Sequence, residues 1–205
     1  MKRLAILLSA AFVLLASSPA FAQGSFNVGF LNSIDVVKSG NSSSTNPLSG
    51  FYAGFGYTLP LTSTLNFTPG VYYGYAANSS ATDLIITTLS GKRQDHLINI
   101  PLHLSFGLDV NPNFRFYAYA GPSLSFGLAS IITGSLGKNS SSYDRYQEDS
   151  NLNRFDIMLG GGLGVEILDN FRINVGYDFG MLNRYNNSNT IYHRNQLTAG
   201  VAYVF

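Results

Sequence analysis

Few residues of this chain have side chains that could do chemistry. His103 and Ser105 stand two apart in HLS, and Glu166 supplies an acid elsewhere. Serine, histidine and a carboxylate are the nucleophile, base and orienting group of many hydrolases. A second set comprises Glu166, Arg172, Asp178, Asp156, Arg115 and His103, ionisable residues among small and apolar neighbours. Such groups either line a path for a solute or satisfy one another inside a fold. Metal ligands are poorly supplied. His96, His103 and His193 are dispersed, and Asp144, Glu148 and Asp149 in YDRYQEDS do not follow calcium-loop spacing. There is no cysteine, hence no disulfide framework and no thiolate site. GGGLG at 160–164 evokes a phosphate loop, but it lies in an alternating stretch with no helix after it. No catalytic residue, cofactor site or metal site is expected from these patterns.

The elements that must hold these residues are strands. Period-two alternation runs through most of the chain. In FRINVGYDFGM, Phe171, Ile173, Val175, Tyr177, Phe179 and Met181 share one face. Arg172, Asn174, Gly176, Asp178 and Gly180 share the other. The same alternation marks GFYAGFGYTLPL, HLINIPLHLSFGL, FYAYAGPSLSFGL and the segments at 26–36, 66–76, 155–167 and 197–205. That makes eight strands. Three connections are tight: 62–64, 109–113 and 168–170. Four are long and rich in Ser, Asn and Gly: 38–49, 78–95, 134–153 and 183–195. These four are expected to be exposed loops. TDLIITTLSG within the second is apolar for a loop. It is expected to extend the sheet as a hairpin, with contact to a partner as the other reading.

Register can be checked from the pattern. Folding about Asp169 sets Val165 against Ile173 and Glu166 against Arg172. Folding about Ser63 sets Leu59 against Phe67. Apolar meets apolar in both, and a slip of one residue would mix the faces.

Eight antiparallel strands close most simply into an up-and-down barrel, which leaves no sheet edge. Its greasy side faces either inward or outward. A soluble barrel would carry charge on the polar side, yet charged residues are 11% of the chain against roughly 25% in soluble domains. The polar side holds Gly, Ser, Asn, Thr and Tyr, and the apolar side has no charge at strand centres. A charge facing hydrocarbon at the bilayer midplane costs about 2–4 kcal/mol. The expected fold is therefore an all-β, eight-stranded antiparallel transmembrane barrel, with outer-membrane lipid around it. His103 and Ser105 then face the lumen, away from any lipid substrate, and chance accounts for their spacing. Glu166, Arg172, Asp178, Asp156, Arg115 and His103 also turn inward, as a structural polar network in a lumen wide enough for side chains or one small ligand. Net charge is +1, which gives no case for nucleic acid.

The first residues give a destination. Lys2 and Arg3 precede an apolar run from Leu4 to Leu15, followed by SSPAFA with small residues at Ala20 and Ala22. Such a run is too short to span a bilayer as a helix and matches an export signal. Residues 1–22 are expected to be a cleaved signal peptide and 23–205 one barrel domain. The last residues alternate toward Tyr203 and Phe205. This ending resembles the assembly signal of bacterial outer-membrane proteins, which implies recognition by the barrel-assembly machinery. NIPLHLSFGL, FYAYAGPSLSFG and FDIMLGGGLGVEI resemble the outer-membrane β-barrel domain family of PorT-like proteins and small eight-stranded barrels. The resemblance covers nearly all of residues 23–205 and implies architecture and location, with no catalytic motif. The expected role is structural or interactive, through extracellular loops and a surface partner. A narrow channel or small-solute transporter is the alternative, and a lipid-modifying hydrolase a third.

Overall fold

The computed structural model describes residues 23–83, 88–136, 139–149, 151–186 and 190–205. Residues 1–22, which hold the expected export signal with Ala20 and Ala22, lie outside the described residues, as do 84–87 of the apolar loop stretch. The strands are β1 (Gln23–Ser39), β2 (Ser42–Pro60), β3 (Leu65–Asp83), β4 (Thr88–Asn111) and β5 (Phe114–Leu136). A short β6 (Asn139–Asp144) and a single turn of helix, α1 (Arg145–Glu148), follow. Then come β7 (Phe155–Ile167), β8 (Phe171–Gly180) and β9 (Thr190–Val204). All pairings are antiparallel between neighbours. The ring runs β1-β2-β3-β4-β5-β7-β8-β9 and closes from β9 to β1. It is an eight-stranded barrel. β6 is a ninth strand outside the ring, paired to β5 alone.

The registers read from sequence hold. Val165 pairs with Ile173, Glu166 with Arg172 and Leu59 with Phe67. The faces hold as well. Leu163 and Phe55 are each 64% exposed on the outside, and Phe30, Phe106, Phe116, Ile173 and Val201 join them in an apolar band. Asn27, Ser33, Ser105, Ser123 and Ser125 are buried on the inside. Every ring strand has a neighbour on both sides, the closure that backbone in hydrocarbon requires.

Glycine on the inner face makes room for tyrosine. A side chain at Gly164 would collide with the Tyr117 ring, and one at Gly176 with the Tyr119 hydroxyl. The rings fold flat against bare backbone and fill a tube too narrow for them otherwise.

Strand enters all four expected loops and takes up most of the first two. β1 and β2 pair up to Ser39 and Ser42, so the first is a two-residue turn at Gly40 and Asn41. Gly40 has φ of 56°, which such a turn needs and glycine supplies without strain. β3 and β4 pair out to Asp83 and Thr88, as the hairpin reading anticipated. β5 runs on to Leu136 and folds back as β6. β9 begins at Thr190, inside the fourth expected loop. Serine- and asparagine-rich composition reads as loop, but a neighbouring strand that offers backbone partners overrides it. About 9–11 tilted residues suffice to cross a bilayer. β4 has 24 residues and β5 has 23, so both project well past the band.

Candidate functional site

The candidate side chains lie inside the barrel, stacked in levels along its axis. At the end with the tight turns, Arg172 Nε donates to Glu166 and its Nη1 donates to Thr58 Oγ1 at 2.8 Å. Arg115 lies nearby, over Gly107, with its Nε 3.6 Å from an Asp109 carboxylate oxygen. Gln23 and Phe205 are at this end too, where Gly24 and Phe205 exchange backbone hydrogen bonds. Tyr203 and Phe205 face outward, and Tyr203 packs edge-on against Phe171.

The middle level holds His103. Its ring stacks on Tyr119 with centroids 5.1 Å apart. His103 Nε2 lies 3.1 Å from Ser123 Oγ, and Ser123 Oγ lies 3.5 Å from Asp178 Oδ1. Asp178 approaches the same ring nitrogen, at 3.9 Å, and not the opposite one. A hydrolase relay needs the acid on one imidazole nitrogen and the nucleophile on the other. This trio lacks that order. Ser105 sits on the same strand face as His103, and its hydroxyl takes no part in the group. Above His103, Asn99 Nδ2 donates to Gln196 Oε1 at 2.6 Å across the lumen. Beyond that rung is an apolar layer of Leu31, Leu48, Ala76 and Leu97.

The next level brings four paired charges together. Arg194 from β9 donates to Asp35 of β1 at 3.0 Å and also to Asp95 of β4. Arg93 completes the square, 2.6 Å from Asp35 and 2.6 Å from Asp95. Tyr192 donates to Asp35, and Ser130 to Asp95 at 2.8 Å. Asp35 is fully buried, Asp95 1% exposed and Arg194 2% exposed. Two carboxylates and two guanidinium groups therefore span the tube from opposite walls. A β-bulge helps to build this level. Leu97 pairs with Gly127 but His96 pairs with Ala129, and the extra residue brings Ser130 to the inside.

A final level caps the far end. Arg184 is buried at 1% exposure, stacks on Tyr192 and donates to Tyr146 of α1 at 2.5 Å. Tyr146 reaches over Gly127, and Arg154 lies on its ring. Asp156 is buried here and accepts from the Leu182 amide at 3.3 Å. Leu152 and Tyr185 bridge the last two connections.

The six ionisable residues picked from sequence thus all face the lumen, but at separate heights. Glu166, Arg172 and Arg115 share one end, His103 and Asp178 the middle, and Asp156 the other end. Asp35, Arg93, Asp95, Arg184 and Arg194 were not among them. Four of these lie in stretches that composition assigns to loops, or at their edge. Continuing the alternation would have found two of them: Asp35 follows Leu31 and Ser33 on one parity, and Arg194 precedes Gln196 and Thr198 on another. Among the described residues, no group of three or more histidine or acidic side chains is arranged to hold a metal ion.

Comparison with known proteins agrees with this architecture. Residues 21–186 match the family model described as outer membrane protein beta-barrel domain. No curated protein matches the chain. Among solved structures, Ail, the attachment invasion locus protein of Yersinia pestis, in complex with the heparin analogue sucrose octasulfate, superposes with a TM-score of 0.50 at 14% identity. That match covers 91% of this chain and 100% of the other. Neisserial surface protein A gives 0.44 at 19% identity, covering 88% and 97%. The outer membrane protease OmpT of Escherichia coli gives 0.42 at 14%, covering 92% and 98%. Similarity at this level concerns the fold and leaves activity open. Lipid-facing apolar band, closed antiparallel ring and family match converge: this is a bacterial outer-membrane β-barrel, and the chain belongs to the outer membrane protein beta-barrel domain family.

Proposed function

We propose that the protein is a non-enzymatic surface anchor, with a plugged barrel that holds an extracellular rim of extended strands toward a partner outside the cell. The observation that carries this reading is the charged square of Asp35, Arg93, Asp95 and Arg194, which fills the lumen from wall to wall. A channel needs a continuous wet path, and buried, mutually paired charges leave none. The rim is formed by β2 to β6 and α1, on the side away from the tight turns. Short turns belong to the periplasmic side of such barrels and long extensions to the outside. Residues 1–22 serve as the export signal, cleaved after Ala22. Outer-membrane lipid wets the apolar band, and Tyr203 and Phe205 present the final strand to the assembly machinery. The Ser-His-acid reading has no support in the order of His103, Ser123 and Asp178, nor in their direction, which is away from lipid.

The test has two arms. In planar bilayers the purified protein carries no steady ion current. A steady current altered by Glu166→Ala or Arg172→Ala would replace this reading with a channel. On intact cells an impermeant thiol reagent modifies the Y143C protein, since Tyr143 on β6 is 48% exposed and the chain has no other cysteine. No modification there would overturn the outward placement of the rim.

A further inference from the structure

Below the charged square the lumen is not full. The half nearer the tight turns encloses a cavity of about 150 Å³. It runs from the Asn99–Gln196 rung down to Arg115, Glu166 and Arg172 near the turns. A void of this size has room for a molecule of about six or seven heavy atoms.

Charge pairing along the lumen is uneven at this height. Asp35 and Asp95 each have two guanidinium partners, and Glu166 has Arg172. Asp156 pairs with no arginine or lysine, but it is sealed at 2% exposure and takes the Leu182 amide. Asp178 differs from all of these. Its side chain is 15% exposed and lines the cavity. Among the described residues no arginine or lysine pairs with it, and its hydrogen bond from Ser123 Oγ is 3.5 Å long, at the limit of such a bond. His103 Nε2 stands 3.9 Å away and bonds Ser123 instead. A carboxylate held out of bulk water without a counter-charge is costly, and a cation beside it relieves that cost.

The remaining walls suit a cation as well. Tyr52, Tyr72, Tyr117 and Tyr119 line the same cavity. The face of a phenol ring attracts a positive charge within about 6 Å of its centre, most strongly where water is excluded. The two arginines on the cavity are at its turn-side end. Glu166 holds Arg172, and Arg115 stands beside the exposed Asp109, where water and salt screen its charge. Neither offsets Asp178 at the middle level.

We infer that the turn-side half of the lumen is a binding site for a small organic ammonium ion, with Asp178 as its counter-charge and the tyrosines of the wall as its cage. A cation held on one side of the charged square needs no path through it, so this site and the surface-anchor reading stand or fall separately.

The test uses the absence of native cysteine. Protein carrying Thr68→Cys in the cavity wall is extracted from outer membranes in a non-ionic detergent and treated with a small neutral thiol reagent. Choline chloride is the probe, exchanged against sodium chloride at constant ionic strength, and dimethylbutanol, its uncharged carbon isostere, is the control. At twice its Kd, choline slows modification about threefold, and the alcohol leaves the rate unchanged. A second protein carrying Ser63→Cys in the exposed turn reacts at one rate throughout. Adding Asp178→Asn to Thr68→Cys abolishes the protection while heat-modifiable gel mobility reports a folded barrel; Asp178→Ala takes its place should the asparagine variant not fold. Where the reagent does not reach residue 68, Asn66→Cys on the same wall is used. A rate that no concentration of choline changes overturns the inference, as does equal protection by the alcohol. Protection that survives the Asp178 variants overturns it too, and so does a cavity that admits the reagent to neither cysteine.

Discussion

Arg194 shows how much a single side chain can be asked to do inside a narrow tube. It is buried, bonded to two carboxylates from different walls, and opposed by Arg93 across the same square. Arg194→Leu leaves two buried carboxylates with one guanidinium between them. Removing one partner of a buried ion pair costs about 3–5 kcal/mol, so the urea midpoint of the gel-shift transition should fall sharply. The loss should shrink as the solution is acidified, because a carboxylate that takes up a proton no longer needs a counter-charge. An unchanged midpoint at neutral pH would mean that the square does not hold the walls together. Sequence reasoning reached Glu166 and Arg172 as a pair, because both flank a tight turn whose register is short-range. It missed Arg194 because its partners Asp35 and Asp95 are 159 and 99 residues away, and it missed Arg93 and Asp95 because they end a stretch whose composition reads as a loop. Glycine opposite tyrosine was legible, since both residue types occupy the inner parity and only bare backbone leaves space for a ring.

The strand is the unit at which the sequence speaks most clearly. Alternation gives the face of nearly every ring residue, and tight turns give register on two hairpins. What it does not give is the bulge beside Leu128, which flips parity for one end of β5, or the addition of β6. Both depend on which backbone lies alongside, and no local pattern records that. The face assignment makes a graded prediction. Leu163 points out from the middle of β7, whereas Leu168 points out from the turn after it. Leu163→Arg should cost about 2–4 kcal/mol in folding into a bilayer, and Leu168→Arg about 0–1 kcal/mol, because the penalty falls with distance from the midplane. Folding titrations into lipid vesicles read the difference. Equal costs would place residue 163 away from hydrocarbon.

For the molecule as a whole, closure is the decisive event, and it happens between β1 and β9. Phe205 packs its ring over Gly24 at that seam and exchanges backbone hydrogen bonds with it. Deleting Phe205 should therefore slow insertion and leave unassembled protein in the periplasm. Fractionation and heat-modifiable mobility measure this, and a normal folded band in the outer membrane would count against a role for that residue in assembly. At the opposite end, β5 serves two partners along one edge: β7 through the apolar band and β6 beyond it. The cylinder is thus sealed only where oil surrounds it, and opens into a collar where water does. Lengthening or shortening that collar leaves the stagger of the sealed part untouched, so the rim is free to diverge while the wall beside it stays the same.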